Sequence, residues 1–518
     1  MSLSNKFLKM NKYLPAVSIV SLGFIFARLT GIIKTMVIAD QFGTSPEIAA
    51  YWVAFRIPDL LFNLLSGATL SAAFIPIFSS VLTNDGDDEG WQLASSIINI
   101  LTTLTLLFCI ICMLFTDHLI TVIAPGLSLN VKSLAIDLTR IMLISPIFFC
   151  ISGMATGILN SKNHFLAPAI APTVYNLTII IGALTLTMNY GVKGLAFAVV
   201  IGSIGHLFVQ LIMLKIMKMK WHPQFNIQSN NVRKIIQLAL PRTIGLAANQ
   251  INLIIFIIFA STISEQTINA FNYAHMFIML PVALIGMSIS ITVFPQISKL
   301  FIAKKSEEFK QLVEFAIFLI IFLSIPALTG IIFLMGPIIK IIFEHGEFDS
   351  QSTALVQDIV LYFSPIIVAF SLTEIMSRVY YATMDTRTPV IATVISVLVN
   401  VLICAFFVDD FGYKAIAIAG SIASIIELII LIYFLKFRSI HLNYRKLIFE
   451  TIQVLFISLL MYISIDICST YLFKKYISSD YLQLIFTIIL GVVFYFIIYR
   501  IFLKEKTDRI IHFLKQEN

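Results

Sequence analysis

The sequence predicts an all-α, polytopic membrane protein of about fourteen transmembrane helices, arranged as two six-helix lobes plus two C-terminal helices. Three observations lead there. Of 518 residues, 59% are hydrophobic and only 12% are charged, with a mean hydropathy of +0.95. A soluble globular domain does not carry so much apolar surface. Apolar runs of about 20 residues recur from end to end, each long enough to cross roughly 30 Å of hydrocarbon. Landmarks in the first half return about 220 residues later, as transporter repeats do.

In order, the runs lie near 14–39, 50–82, 92–115, 134–159, 167–188, 193–217, 235–263, 268–298, 312–335, 353–381, 389–408, 413–435, 448–472 and 481–502. Lys6, Lys9 and Lys12 precede the first run. That run is too long for a secretory signal and lacks a small-residue cleavage site, so it reads as a retained span. With the N-terminus inside, the inward loops hold most of the Lys and Arg, among them Lys215, Lys218, Lys220, Arg233, Lys304 and Lys305. The outward loops hold few, such as Lys132, Lys193 and Lys340. The positive-inside rule then places both termini in the cytoplasm. The net charge of +7 is spread over these short loops and does not point to nucleic acid.

Residues 221–234 form the longest polar connection and read as a basic interfacial linker between two similar halves. Pro58 and Pro281, Pro76 and Pro295, and Pro168 and Pro389 are 223, 219 and 221 residues apart. The expected organisation is a six-helix lobe over 1–220, a second over 221–440, and two further helices with a tail over 441–518.

The first two spans carry charges that lipid disfavours: Arg28, Lys34, Arg56 and Asp59. A charge at mid-bilayer costs roughly 2.5 to 3.5 kcal/mol on insertion scales, and normally faces a bundle interior or a wet cavity. Gly31, Pro58, Gly67 and Pro76 interrupt the same helices, as happens where backbone lines a cavity. The expectation is a cationic cavity suited to phosphate, which the arginine fork binds bidentately. Snorkelling of Lys34 and Arg56, or an Arg56–Asp59 pair, is the blander alternative. Arg28 lies mid-run, where snorkelling is difficult. Arg242, Asn249, Gln250 and Asn252 in the seventh span, and His275 in the eighth, are further candidates. Arg242 also reads as an anchor to lipid phosphate, Asn249 and Asn252 as interhelical hydrogen bonders, and His275 as a structural hydrogen bonder beside a proton relay. Glu374 and Arg378 read as an i, i+4 pair, and Asp137 with Arg140 as a similar one. Glu427 and Asp466 show no evident partner. Cys109 and Cys112 read as buried small residues rather than a redox pair. No metal-ligand cluster, phosphate loop or nucleophile–base pair is visible, so no cofactor and no enzyme activity is expected.

These pieces resemble the MurJ/MviN family of lipid II flippases, within the multidrug/oligosaccharidyl-lipid/polysaccharide exporter superfamily. The resemblance rests on Ala27-Arg28-Leu-Thr-Gly31, Ala54-Phe-Arg-Ile-Pro-Asp-Leu-Leu61, Ala73-Phe-Ile-Pro-Ile77, Gly157-Ile-Leu-Asn160, Pro168-Ala-Ile-Ala-Pro172 with Asn176, Pro241 with Gln250, Phe343-Glu-His-Gly-Glu-Phe348 and Tyr380-Tyr-Ala-Thr-Met-Asp-Thr-Arg-Thr-Pro389. It implies a multi-pass protein of the bacterial cytoplasmic (inner) membrane. That protein would translocate an undecaprenyl-pyrophosphate-linked peptidoglycan precursor by alternating access. The implied partners are that lipid-linked pyrophosphate and membrane lipids, with the chain a monomer near cell-wall synthesis machinery. Coupling to the membrane potential or to a monovalent cation stays open. The family's cavity cations map onto Arg28 and, by a conservative change, Lys34. Others fall at Phe62 and Met276, and two family acids fall at Met279 and Ala49. The residues by themselves also leave open an exporter of another lipid-linked oligosaccharide, an antiporter of the same superfamily, or a non-transporting membrane scaffold.

Overall fold

The computed structural model describes residues 3–65, 68–438, 440 and 442–502, with side chains described except at 3–21, 24, 65, 68–72, 240–249, 437–438, 472–474 and 502. No strand occurs among the described residues. In a hydrocarbon solvent every backbone N–H and C=O must be paired within the segment, so Ile-, Val- and Phe-rich runs that would favour strands in water become helices.

The chain forms two compact units. One is Met1–Asn269 with His345–Phe348; the other is Ala270–Glu344 with Asp349–Asn518. The first begins with α1 (Leu3–Phe42), α2 (Pro46–Leu65), α3 (Ala68–Asn84), α4 (Asp87–Leu114), α5 (Thr116–Ile123) and α6 (Leu129–Met142). It continues with α7 (Ser145–Ser161), α8 (Leu166–Thr185), the single turn α9 (Thr187–Tyr190), α10 (Lys193–Ile216) and α11 (Asn230–Ile263). Its core joins Phe74 and Phe78 of α3, Trp91 and Ile97 of α4, Ile158 of α7 and Ile235 of α11.

The second unit holds most of α12 (Glu265–Pro281), then α13 (Ser288–Ile302), α14 (Ser306–Phe343), α15 (Ser350–Phe363), α16 (Ile366–Ala382) and α17 (Arg387–Phe411). After these come α18 (Tyr413–Phe434), α19 (Tyr444–Ile467), the short α20 (Lys474–Tyr476) and α21 (Asp480–Phe502). The two C-terminal helices α19 and α21 pack on α14, where Tyr495 donates its hydroxyl to the Phe322 carbonyl (2.8 Å). Asp349 caps α15 by accepting the Ser352 N–H, which holds its carboxyl below the usual carboxylate range.

Ten helical stretches among the described residues are long and apolar enough to cross a membrane, or eleven when α15 and α16, bent by 46°, count as one span. The remaining expected spans, near 14–39, 50–82 and 235–263, coincide with α1, α2–α3 and α11, parts of whose side chains lie outside the described residues.

The proline landmarks occupy like positions in their helices. Pro76 and Pro295 are inside α3 and α13. Pro168 and Pro389 are each the third residue of their helix, α8 and α17. Pro58 lies inside α2, whereas Pro281 ends α12 and is followed by a π-helical turn over Val282–Met287. A proline removes one helical N–H and crowds the preceding turn, which a π turn relieves.

The linker differs from its sequence reading. Only 217–229 is non-helical, and Arg233 and Lys234 already belong to the start of α11. Asp137 pairs with Lys193 at 2.8 Å, not with Arg140. Packing of α10 on α6 supplies a cation from outside the helix, and Arg140 stays exposed. Glu374 and Arg378 do approach, at 4.0 Å. Glu427 has a partner after all, accepting from Thr393 Oγ1 at 2.7 Å. Asp466 is exposed. Cys109 and Cys112 are free thiols.

His345–Phe348 seats on the turn between α1 and α2. Glu347 N–H donates to the Asp40 carbonyl (2.8 Å), and Phe348 is buried. Gly346 holds φ +54, and a Cβ there would strike the Asp40 backbone; Gly191 holds the same φ +54 with nothing within 4 Å. Gly191, at ψ −142, is in a region favoured by glycine alone, so Gly191→Ala carries only backbone strain, about 1 to 3 kcal/mol. Gly346→Ala is expected to lose at least about 1 kcal/mol more, because the neighbour is backbone and cannot rotate away. Thermal melting of the two purified variants checks this; equal melting temperatures would contradict the seating.

Candidate functional site

Arg28 projects from α1 in a segment tied to α8. Asn176 Nδ2 donates to the Ala27 carbonyl (3.1 Å) and to Thr30 Oγ1 (3.3 Å). Gly23 removes the side chain that would otherwise strike Ala169 of α8. The flanking residues are thus clamped while Arg28 stays exposed, with no hydrogen bond or ion pair to any described residue. Its sequence neighbours one turn away, Ile25, Gly31 and Ile32, offer no counter-charge.

Lys34, nearly two turns further along, is half-buried, with Nζ 5.7 Å from the centroid of the Tyr175 ring on α8. Such a contact contributes about 0.5 to 2 kcal/mol, more as water is excluded. Lys34 therefore reaches an aromatic face within the bundle. Arg56 and Asp59 of α2 are electrostatic neighbours. Asp59 Oδ1 also accepts from Asn63 Nδ2 at 3.0 Å.

Asp59 and Tyr175 share the wall of a cavity of about 270 Å³ inside the first unit. Phe55, Pro58 and Phe62 of α2, Phe149 of α7 and His206 of α10 line it too. Phe149 is the hub of its aromatic side, with ring centroids 5.0 Å from Phe62, 5.2 Å from Tyr175 and 5.4 Å from His206. Phe62, where the resemblance places an arginine, packs its ring on Phe149. Ala49, at the place of a family acid, is fully buried at 0% exposure, where a carboxylate would have no water.

The structure thus brings Lys34 and Asp59 together around Tyr175. Arg28 lies further along the same helix as Lys34. Gln250 and Asn252 are half-buried on α11, with Asn252 engaged by a neighbour. His275 is half-buried in α12, in the second unit, and is also engaged. The side chains of Arg242 and Asn249 lie outside the described residues. Sequence reasoning passed over Tyr175 and His206 as site residues. The one available signal was a lone polar group within an apolar run. Among the described residues, no cluster of three or more His, Cys, Asp or Glu could hold a metal ion.

A multi-pass helical bundle with charged side chains inside its first two spans is the architecture of a membrane transporter, and the first span, despite Gly31, is one unbroken helix. The fold is that of an inward-facing MATE family transporter of the MOP superfamily (TM-score 0.68, 15% identity, 82% of this chain and 98% of that one). The chain belongs to the MurJ family, whose model, described as lipid II flippase MurJ, matches residues 38–506. It is 28% identical over 496 residues to the lipid II flippase MurJ of Thermosipho africanus (strain TCF52B), covering 96% of this chain and 98% of that one. It also matches the structure of a lipid II flippase MurJ in an inward closed conformation (TM-score 0.80, 28% identity, 94% of this chain and 99% of that one).

Proposed function

We propose that this chain carries lipid II, the undecaprenyl-pyrophosphate-linked peptidoglycan precursor, from the inner to the outer leaflet of the bacterial cytoplasmic membrane by alternating access. One observation supports this most: Arg28, in the interior of the long helix α1, has no counter-ion among the described residues. A guanidinium held so needs an anion, and a pyrophosphate supplies two phosphoryl groups for its fork. Lys34, Arg56 and Arg242 add charge to the headgroup site. Asn249, Gln250, Asn252 and His275 offer neutral hydrogen bonds, and Asp59 orients Arg56. The prenyl tail stays in lipid. Two repeated six-helix lobes, over 1–220 and 221–440, would perform the alternation, with 441–518 as an addition and both termini cytoplasmic.

The chain acts as a monomeric carrier without catalysing a chemical reaction or holding a cofactor. Its drive comes from the membrane potential or a monovalent cation, and it works beside the cell-wall synthesis machinery. Expression in a bacterium depleted of its own lipid II flippase tests this reading. Growth and normal cell shape are expected. Lysis despite normal membrane abundance would contradict it.

A further inference from the structure

His206 is not needed to hold the headgroup, yet it is built into a hydrogen-bond chain of unusual completeness. On α7 and α10, Thr156 Oγ1 donates to Gln210 Oε1 (2.8 Å) and Gln210 Nε2 donates to Ser152 Oγ (2.6 Å). Ser152 Oγ also lies 2.7 Å from His206 Nδ1 and 3.4 Å from the His206 carbonyl.

The roles of Ser152 Oγ and His206 Nδ1 depend on the tautomer. The Gln210 amide nitrogen can only donate. In the arrangement with the Ser152 proton directed to the His206 carbonyl, Nδ1–H donates to Ser152 Oγ. A neutral imidazole with its proton on Nδ1 carries a lone pair on Nε2. Nε2 makes no hydrogen bond to any described residue, and the ring lines the 270 Å³ cavity. That volume holds several waters, at about 30 Å³ each.

We propose that His206 carries its neutral-form proton on Nδ1 and that Nε2 is a proton-binding site, loaded from water in the cavity of the first unit, whose wall also holds Asp59. An incoming proton bonds to the Nε2 lone pair and gives an imidazolium. Nδ1–H keeps its bond to Ser152, so nothing else rearranges. Intramembrane histidines serve as proton relays when water reaches them.

The surroundings are named readily. Against α10, α8 presents Tyr175, over whose ring Lys34 of α1 lies. From α2 come Asp59 and its electrostatic neighbour Arg56, while α7 carries the buried thiol Cys150. On α6, Asp137 is occupied by Lys193 at the start of α10. The turn α9 carries Tyr190, packed on Phe197. Asp59 thus shares the cavity with the ring, with its charge set against Arg56 of the same helix. An added proton raises the positive charge near Lys34, so protonation and binding of an anionic headgroup favour one another reciprocally. That consequence rests on the flippase reading; the proton site does not.

The test uses the full chain in lipid, labelled with ¹⁵N-histidine, the His206 signal being assigned by its loss in His206→Asn. The neutral form should show Nδ1 protonated and Nε2 bare, and Nε2 should gain one proton reversibly between pH 8 and pH 4. Ser152→Ala, which keeps the imidazole, should lose the tautomer preference. An Nε2–H neutral form, or no protonation by pH 4, overturns the proposal. Farnesyl pyrophosphate binding is then measured against pH. From pH 8 to 4, wild type should gain about 5-fold or more over His206→Asn. The probe's own ionisation is common to both. Parallel profiles overturn the link between proton and headgroup. A chain that titrates as expected but fails to replace a flippase leaves the proton site standing and removes the flippase reading.

Discussion

Arg28→Ala is expected to abolish lipid II transport while the protein remains inserted and folded. The clamp that positions α1 here does not involve the Arg28 side chain; it runs from Asn176 to Ala27 and Thr30. Removing the guanidinium leaves that clamp intact and breaks no ion pair with any described residue. What it removes is a charged hydrogen bond to a desolvated phosphate. By analogy with truncating one partner of a buried charge pair, the loss is about 2 to 5 kcal/mol, or roughly 30- to 5000-fold. Arg28→Lys should keep part of the activity, since the charge remains but the planar fork is lost. Lys34→Ala should be milder, because Lys34 already spends part of its charge on the Tyr175 ring. Transport scored with membrane abundance checks all three. Full activity of Arg28→Ala at normal abundance would remove Arg28 from the site. Disappearance of the protein would make Arg28 structural.

Asn99→Leu is expected to release the connection between α10 and α11. Asn99, buried in α4, donates from Nδ2 to the carbonyls of His222 (3.0 Å) and Gln224 (2.9 Å) and accepts from Trp221 Nε1 (3.0 Å). Three contacts of one strap thus converge on a single side chain. Leucine has the same branching at Cγ, a larger volume and none of these groups. The strap's carbonyls lose a partner, partly compensated by water at the exposed Trp221. The local cost is about 2 to 4 kcal/mol, so hydrogen exchange of amides in 221–229 should accelerate roughly 30- to 1000-fold. Lys220→Ala is the control. Its pair with Asp88 (2.7 Å) is exposed on both sides, and such pairs contribute about 0 to 1 kcal/mol. Unchanged exchange in Asn99→Leu would show that the strap is held elsewhere.

Periodicity and apolar length made the spans legible, because a bilayer leaves helices little freedom over where they begin and end. Local charge pairs were legible only where the partner sits on the same helix, as with Glu374 and Arg378. Asp137 was misread because its cation, Lys193, comes from a helix more than fifty residues away. Glu427 was misread because its partner Thr393 is a hydroxyl, a residue type common in spans and silent in a charge pattern. Arg28, Lys34 and Asp59 stood out because charge in an apolar run is costly. Tyr175 and His206 did not, since a lone polar group within an apolar run is a weak signal that does not say which cavity it faces. Their role depends on which helices share a cavity, and only packing decides that. The replacement of a family arginine by Phe62 looked in sequence like a lost function. In the fold it is one part of an aromatic wall with Phe149.

The most direct test of the central claim is leaflet exchange by the purified protein. Vesicles containing the full chain are loaded with fluorescent lipid II in both leaflets, and a membrane-impermeant quencher is added outside. With wild type, quenching should proceed past the outer-leaflet half towards completion, and with Arg28→Ala it should stop near half. Quenching that stops near half with folded wild type, or that proceeds equally well with Arg28→Ala, would contradict the account.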